Sequence, residues 1–282
     1  MSSLRVREQD LAGKVAIVTG ASRGIGRAIA VNFASRGCGV LGTCSSDQNL
    51  HLIDAIENEI TNLYKAANLK RDSLGGVVGI TADIFSSNCA QTIADALSKN
   101  FSNKVDIFVN SAADPNPGPL GALTVEEIQK SLLGNVQTPI LIVDEFVKRK
   151  QFQPESRIIY ISSIRSRQPW GGQLMYSAGK AAGESLCRSW AQAFGGKEDE
   201  FAFMAGTTAN SVMVGLTKTD AVMSCPPDMI EGFKKEFLPL QSMPGLGEPE
   251  DVADVVGLLC SRDARWITGC VVSASGGGIK IG

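Results

Sequence analysis

Seven short runs rich in β-branched and apolar residues recur along the 282-residue chain, and every interval between consecutive runs holds a stretch of helical periodicity. The runs are KVAIVT (14–19), GVLGT (39–43), GVVGIT (76–81), VDIFVN (105–110), RIIYIS (157–162), TANSVM (208–213) and GCVVSA (269–274). Several are almost continuously apolar, as strands covered on both faces must be. The helical stretches fall near 24–36, 48–69, 88–100, 124–149, 174–194 and 249–260. Alternation of this kind is the pattern of right-handed βαβ units. The chain is therefore expected to fold as an α/β protein, a doubly wound parallel sheet of about seven strands with helices on both faces. No internal repeat, low-complexity tract or linker interrupts it, so one domain over 1–282 is expected, with 1–10 as an N-terminal extension.

Two segments break the rhythm. GGKEDEFAFMAG (195–206) reads as an insertion between a helix and a strand. The stretch 224–250 carries five Pro and three Gly around one short amphipathic piece. A connection that long usually carries function.

Composition narrows the partners. A formal charge of −2 and a pI near 5.6 leave no basic footprint for nucleic acid, and Lys148-Arg149-Lys150 reads as a solvated helix end. The N-terminus lacks an apolar signal core, and no apolar segment approaches the roughly 18 residues of a membrane span. Seven cysteines (38, 44, 89, 187, 225, 260, 270) without a CxxC spacing read as buried free thiols in a reducing compartment, so the cytoplasm is expected. The single histidine, His51, sits in an amphipathic helical pattern and reads as a surface residue. Histidine-dependent triads and metal sites are thereby disfavoured, and no metal is expected.

Chemistry-bearing residues cluster in a few places. TGASRGIGRAIA follows the first strand, with Gly20, Gly24 and Gly26 opening a helix. Such glycines let backbone N–H groups and a helix N-terminus approach a pyrophosphate. The spacing is GxxxGxG, not the GxGxxG dinucleotide fingerprint, and alone it is a weak signal. QLMYSAGKAAGE sets Tyr176 and Lys180 one helical turn apart on one face. That pair, too, decides nothing by itself.

Taken together, these motifs resemble the short-chain dehydrogenase/reductase family over about residues 10–280. TGASRGIG resembles the family's cofactor turn, and NSAA (Asn110 to Ala113) its NNAG. Asn135 in LLGNVQTP matches the active-site asparagine, and Ser163 in YISSIRS the serine that precedes the tyrosine by thirteen residues. YSAGK supplies Tyr176 and Lys180, VGLTKTD stands for PGxxxTD, and GEPEDVADVVGLLCSRDARWITG matches the C-terminal helix and strand. The resemblance implies a Rossmann-type fold and a homodimer or homotetramer formed through helices 124–149 and 174–194.

It also implies a chemistry. Hydride delivered to a carbonyl carbon builds negative charge on the oxygen, which Tyr176 would protonate. An unperturbed phenol, with a pKa near 10, is a poor match for neutral pH. The Lys180 cation would favour the phenolate, and Lys180 would hold the nicotinamide ribose. Ser163 would bind the same substrate oxygen, and Asn135 would hold a water linking Lys180 to solvent.

For the cofactor, the resemblance implies contacts from Gly20, Ser22, Arg23, Gly24, Ile25 and Gly26 in the first turn. Asp83 and Ile84 follow the third strand, and Asn110 and Ala112 the fourth; Gly215, Thr217 and Thr219 come from VGLTKTD. NAD-specific relatives carry an acid at the end of the second strand, where this chain has Cys44 followed by Ser45 and Ser46. Arg23 is suited to a 2′-phosphate, which favours NADP(H), although Asp47 lies close by.

Three departures stand out. The segment 110–121 ends its motif on Ala113 and adds Pro115, Pro117 and Pro119, a stiff stretch that either braces the fold or shapes the pocket. Val214 replaces the family's proline, which is expected to loosen the turn at the nicotinamide. The insertion at 195–206 is expected to alter a subunit contact. Arg165, Arg167 and Trp170 fall at the expected substrate mouth, with Trp170 either a flat wall for an aromatic substrate or a packing residue. The segment 220–248 resembles the family's substrate lid.

The expected activity is NADPH-dependent reduction of a ketone, aldehyde or imine on a small molecule of secondary metabolism. A cyclisation or isomerisation organised around bound NADP is an alternative, motivated by the 113–119 loop. A non-enzymatic dinucleotide sensor is disfavoured because the Tyr176–Lys180 pair is intact.

Overall fold

The computed structural model describes residues 5–71, 75–116 and 118–280. Seven strands form one sheet: β1 (Val15–Val18), β2 (Gly39–Cys44), β3 (Val77–Thr81), β4 (Val105–Asn110), β5 (Phe152–Ser163), β6 (Thr208–Val214) and β7 (Val271–Ala274). All pairings are parallel, in the order β3-β2-β1-β4-β5-β6-β7. The strand order reverses between β1 and β4, which opens a crevice at their C-terminal ends.

Alternate strand residues feed two cores. Ala16 and Val18 join a layer with Ile29, Phe33, Ile56 and Val256 from α1 (Gly24–Ser35), α2 (Leu50–Ala66) and α9 (Pro249–Cys260). Val15 and Ile17 face the other layer. There Ile93, Phe146 and Trp190 come from α3 (Cys89–Asn100), α5 (Thr138–Lys148) and α6 (Leu174–Phe194). Phe146 stands edge-on to Phe108 and Phe152 at centroid distances of 5.8 and 5.5 Å. Each such fully buried side chain contributes about 1.5–3 kcal/mol, so the sheet is anchored from both faces.

The expected helix 124–149 is not continuous. It runs as α4 (Val125–Leu132), a π turn (Leu133–Gln137) and α5. Thr124 and Glu127 start α4 with a capping box. Pro139, four residues after Asn135, has no N–H to donate to the Asn135 carbonyl, so the ladder opens there.

β5 begins earlier than expected because the 195–206 insertion folds onto its first half. Glu155 N–H donates to Ala205 O at 2.9 Å, Met204 is buried, and Phe201 meets Phe194 edge-on at 5.0 Å. This lies at the end of the sheet opposite Ser163. The segment 220–248 holds two further helices, α7 (Asp220–Met223) and α8 (Pro227–Phe237).

Of the N-terminal extension, residues 1–4 lie outside the described residues. Arg7 N–H donates to Ser35 O, and Asp10 pairs with Arg36, so the remainder is tied to the end of α1. Five cysteines are buried as expected, but Cys225 is partly exposed and Cys270 is exposed. Cys270 immediately precedes β7, an edge strand with one neighbour. His51 is exposed. Among the described residues, no helix is long and apolar enough to cross a membrane.

Candidate active site

The first turn is built on close backbone approach. Gly20 adopts φ +69°, and a Cβ on Gly26 would lie 2.2 Å from the Gly20 carbonyl oxygen. No other residue fits Gly26, and the contact draws α1 against the end of β1. Thr19 Oγ1 accepts from both Ser111 N–H and Ala112 N–H at 3.0 Å, locking the turn after β4 to the turn after β1. Thr19 stands inside the first glycine motif, yet its role is visible only once the two turns meet. Asn110, at the end of β4, is buried beside them, and Ala112 packs against Gly20. Ser22 is buried, Arg23 is exposed, and Ile25 is half-buried in the first turn of α1. Gly24 N–H donates to Asp220 Oδ2 at 3.0 Å, so a carboxylate from α7 occupies a donor at the α1 N-terminus.

A second polar group forms past β2. Arg23 Nη2 donates to Asn49 Oδ1 at 2.9 Å, and Asn49 Nδ2 donates to Ser46 Oγ at 3.1 Å. Ser45 beside them is exposed. Asp47 is turned aside, accepting from Thr81 Oγ1 at 2.5 Å. Asn49 carries no motif signal, which is why the sequence does not single it out. Asp83 Oδ1 accepts from Phe85 N–H, and Ile84 O from Thr138 Oγ1, fixing the turn after β3.

Ser163 ends β5, and Tyr176 and Lys180 come from the first two turns of α6. Lys180 is buried, its Nζ donating to Ile161 O at 2.7 Å and lying 5.5 Å from the Tyr176 ring centroid. Burial pulls its ammonium down to about 8. Burial pushes the Tyr176 phenol up, opposed by a hydrogen bond with Ser163 and by the Arg165 guanidinium. The Arg165 guanidinium thus joins Lys180 as a cation near Tyr176, with the Lys180 ammonium directed at the Ile161 carbonyl.

Asn135 is held by its side chain. Its Oδ1 accepts from Asp114 N–H at 2.7 Å, and its Nδ2 donates to Asp114 O at 3.2 Å and Ser131 Oγ at 3.3 Å. Its carbonyl, freed from the helix by Pro139, accepts from Tyr160 Oη–H at 3.2 Å, which also lies 3.3 Å from Gly179 O. A protein hydroxyl therefore engages one lone pair of the carbonyl of Asn135, the residue expected to hold a water. Tyr160 is fully buried, and a Cβ on Gly183 would come within 2.1 Å of its ring.

Gly215 follows β6, and a Cβ there would meet Ser275 Cα at 2.9 Å. Val214, the replacement expected to loosen this turn, is the last residue of β6, buried and registered against Ser163 and Ala274. Thr217 is buried and bridges to Gly247, while Thr219 caps α7 by accepting from Val222 N–H.

The expected mouth residues take different places. Arg165 is buried and pairs in two-pronged fashion with Glu236 of α8 at 2.7 and 2.9 Å. Arg167 pairs with buried Glu184 of α6 at 2.9 Å. Glu184 also accepts from Ser162 Oγ at 2.7 Å and Ser166 Oγ at 2.5 Å. Trp170 is 54% exposed, with the Arg165 guanidinium 5.6 Å from its ring. In the 110–121 loop, Pro117 lies outside the described residues. Gly118 packs on Met175, and Leu120 N–H donates to Gly171 O, so this loop is braced against the start of α6.

Residues 20–278 match the model of a family described as enoyl-(acyl carrier protein) reductase. The chain is 34% identical over 277 residues to the short chain dehydrogenase penD of Penicillium thymicola, covering 95% of this chain and 92% of that protein. Its fold matches the angucycline C-6 ketoreductase LanV with bound NADP at a TM-score of 0.80, with 27% identity, over 97% of this chain and 98% of LanV. The promiscuous reductase LugOII, which catalyses keto-reduction at C1 during lugdunomycin biosynthesis, matches at 0.79 and 29% identity over 95% and 98% of the two chains. With the glycine turn, the seven-stranded order and these relatives in agreement, the chain belongs to the short-chain dehydrogenase/reductase family, oxidoreductases that act on carbonyl and hydroxyl groups.

Proposed function

We propose that this enzyme uses NADPH to reduce the carbonyl, or imine, of a small secondary-metabolite substrate, with Tyr176 as proton donor. The observation that carries the reading is the convergence of Ser163, Tyr176 and Lys180 at the C-terminal end of β5. Arg23, Asn49 and Ser46 fit the 2′-phosphate of NADP, since a guanidinium, an amide and a hydroxyl form one hydrogen-bonded chain with the neighbouring carboxylate turned away. The N-terminus of α1 suits the pyrophosphate. When bound, NADPH supplies the hydride. LanV and LugOII, both ketoreductases by description, support a carbonyl of similar origin here.

The chain's own residues handle the proton. Burial pushes the Tyr176 phenol up, which favours the protonated form that donates to a carbonyl oxygen. Ser163 orients the acceptor oxygen toward the phenol. Lys180, one turn along α6, would hold the nicotinamide ribose, and its value of about 8 leaves it able to exchange a proton near neutrality. Asn135, fixed through its side chain, holds the π turn on which the Tyr160 contact depends.

Assembly as a homodimer or homotetramer through α4, α5 and α6 belongs to the same reading, supported by exposed Val125, Leu132 and Ile140. The functional test is NADPH consumption over a panel of ketones, aldehydes and imines, with NADH in parallel. Turnover with at least one carbonyl or imine, and preference for NADPH, is expected. Cofactor binding without consumption across the panel contradicts the reading.

A further inference from the structure

The segment that follows Ser163 is clamped by two arginine–glutamate pairs on different helices. Arg167 is tied to Glu184 in the long, well-packed α6, and Glu184 also binds the hydroxyls of Ser162 and Ser166. Arg165 is tied to Glu236 in α8. The two helices differ in how firmly they are held. α6 buries nine residues, whereas α8 buries only Phe237, which packs with Ile164, Met213 and Leu216. The docking of α8 thus rests on Phe237, the partly buried Phe233 beside it and one two-pronged ion pair. Elements with so few buried contacts open most readily.

Arg165 connects that docking to the chemistry. Its backbone N–H donates to Ser163 Oγ at 3.2 Å, and its guanidinium lies 4.5 Å from the Phe237 ring centroid and 5.6 Å from that of Trp170. A buried guanidinium in this position is held in a single place by the carboxylate and the two rings.

We propose that Arg165 is a positioning residue that couples the docking of α8 to the proton donor, by holding Glu236 and Phe237 with its side chain and Ser163 with its backbone. This goes beyond the reductase reading and rests on it for the role of Tyr176. With α8 docked, Glu236 offsets part of the Arg165 charge. With α8 lifted, the charge at the Ser163–Tyr176 pair is no longer offset.

The charged and titratable groups around Tyr176 make Arg165 the one that α8 controls. From α6, Lys180 is 5.5 Å from its ring but directed at Ile161 O. Glu184 is engaged by Arg167 and two serines. From β5 come Ser163 and the neutral phenol of Tyr160, and the 110–121 loop carries only Asp114, whose backbone is held by Asn135.

Three variants separate the coupling from a merely structural brace: Arg165→Met, Arg165→Lys and Glu236→Gln. Glu236 is partly exposed, so its variant is expected to fold even if Arg165→Met does not. Two readouts are taken: hydrogen exchange of residues 227–237 in the protein without cofactor, and the pH profile of kcat/KM for reduction. All three variants should accelerate exchange in α8. The apparent pKa of the proton donor should rise by roughly half a unit in Arg165→Met, fall in Glu236→Gln, and stay near the wild-type value in Arg165→Lys. Unchanged exchange in α8, or pKa shifts of the same sign in Arg165→Met and Glu236→Gln, overturns the proposal. Full turnover in Tyr176→Phe would instead sink the reductase reading, while the exchange measurement would still report on the α8 contact.

Discussion

Asn135 and Asp114 exchange two hydrogen bonds, Asp114 N–H donating to Asn135 Oδ1 and Asn135 Nδ2 donating to Asp114 O. Both residues are buried, so this exchange fixes the loop after β4 to the π turn with no solvent to substitute for either bond. In Asn135→Leu the Asp114 N–H loses its partner in a dry environment, which costs about 1–3 kcal/mol. Urea denaturation should show a loss of that size together with reduced turnover. A variant as stable as the wild type would mean the exchange is dispensable.

Lys180 makes a pH-dependent contribution whose sign is unusual for a lysine. Burial pulls its folded-state value down to about 8 from 10.5, so burying the ammonium destabilises the fold. That cost is fully present below pH 8 and vanishes as pH rises toward 10.5, because the unfolded chain binds more protons in that window. Removing the amine in Lys180→Met removes the cost. The stability gap between variant and wild type should therefore shift toward the wild type by of order 3 kcal/mol between pH 7 and 10.5. Using the difference between the two proteins cancels the buried thiols, whose raised values act over part of the same range. A gap that does not change with pH would contradict the buried charge.

Asp220 and Arg23 should act oppositely on cofactor affinity. The Asp220 carboxylate occupies the Gly24 N–H at the α1 N-terminus, where a pyrophosphate would compete with it. Asp220→Asn should tighten NADPH binding about 2- to 5-fold, the scale of a charge at a helix end. Arg23→Gln should weaken NADPH roughly 10- to 100-fold and leave NADH nearly unchanged. Fluorescence titration with both nucleotides reads each effect, and equal losses for NADH and NADPH would remove Arg23 from the 2′-phosphate.

Tyr160 gives the Asn135 carbonyl its donor. Tyr160→Phe keeps the ring and its fit against Gly183 but leaves that carbonyl without this partner. A stability loss of about 1–2 kcal/mol and a several-fold lower kcat are expected, with KM little changed. An unaltered kcat would restrict Tyr160 to packing.

The sheet was legible because alternating apolar runs and helical periods leave few other arrangements, and all seven strands fall within the expected runs or extend them. The broken helix at Leu133–Gln137 was less legible, although Pro139 marks it: the missing N–H matters only because of which carbonyl it releases. Ser163, Tyr176 and Lys180 are legible only through their order and spacing within the family's motifs, since the Tyr176–Lys180 pair alone decides nothing. Asn49, Glu184 and Glu236 are not legible, since each acquires its arginine partner across 17 to 71 positions of the chain. Arg165 falls at the expected substrate mouth, but its pairing with Glu236 carries no sequence signal. Its burial against α8 depends on where a long connection folds back, which no local pattern encodes.

The most direct test of the account is single-turnover hydride transfer from NADPH in Tyr176→Phe, measured alongside NADPH binding by fluorescence quenching. Losing the phenolic proton should slow reduction by about 10²- to 10⁴-fold, the scale of general acid catalysis, while nucleotide affinity stays within a few-fold of the wild type. Reduction at the wild-type rate in this variant would contradict Tyr176 as the proton donor and, with it, the reading of the site.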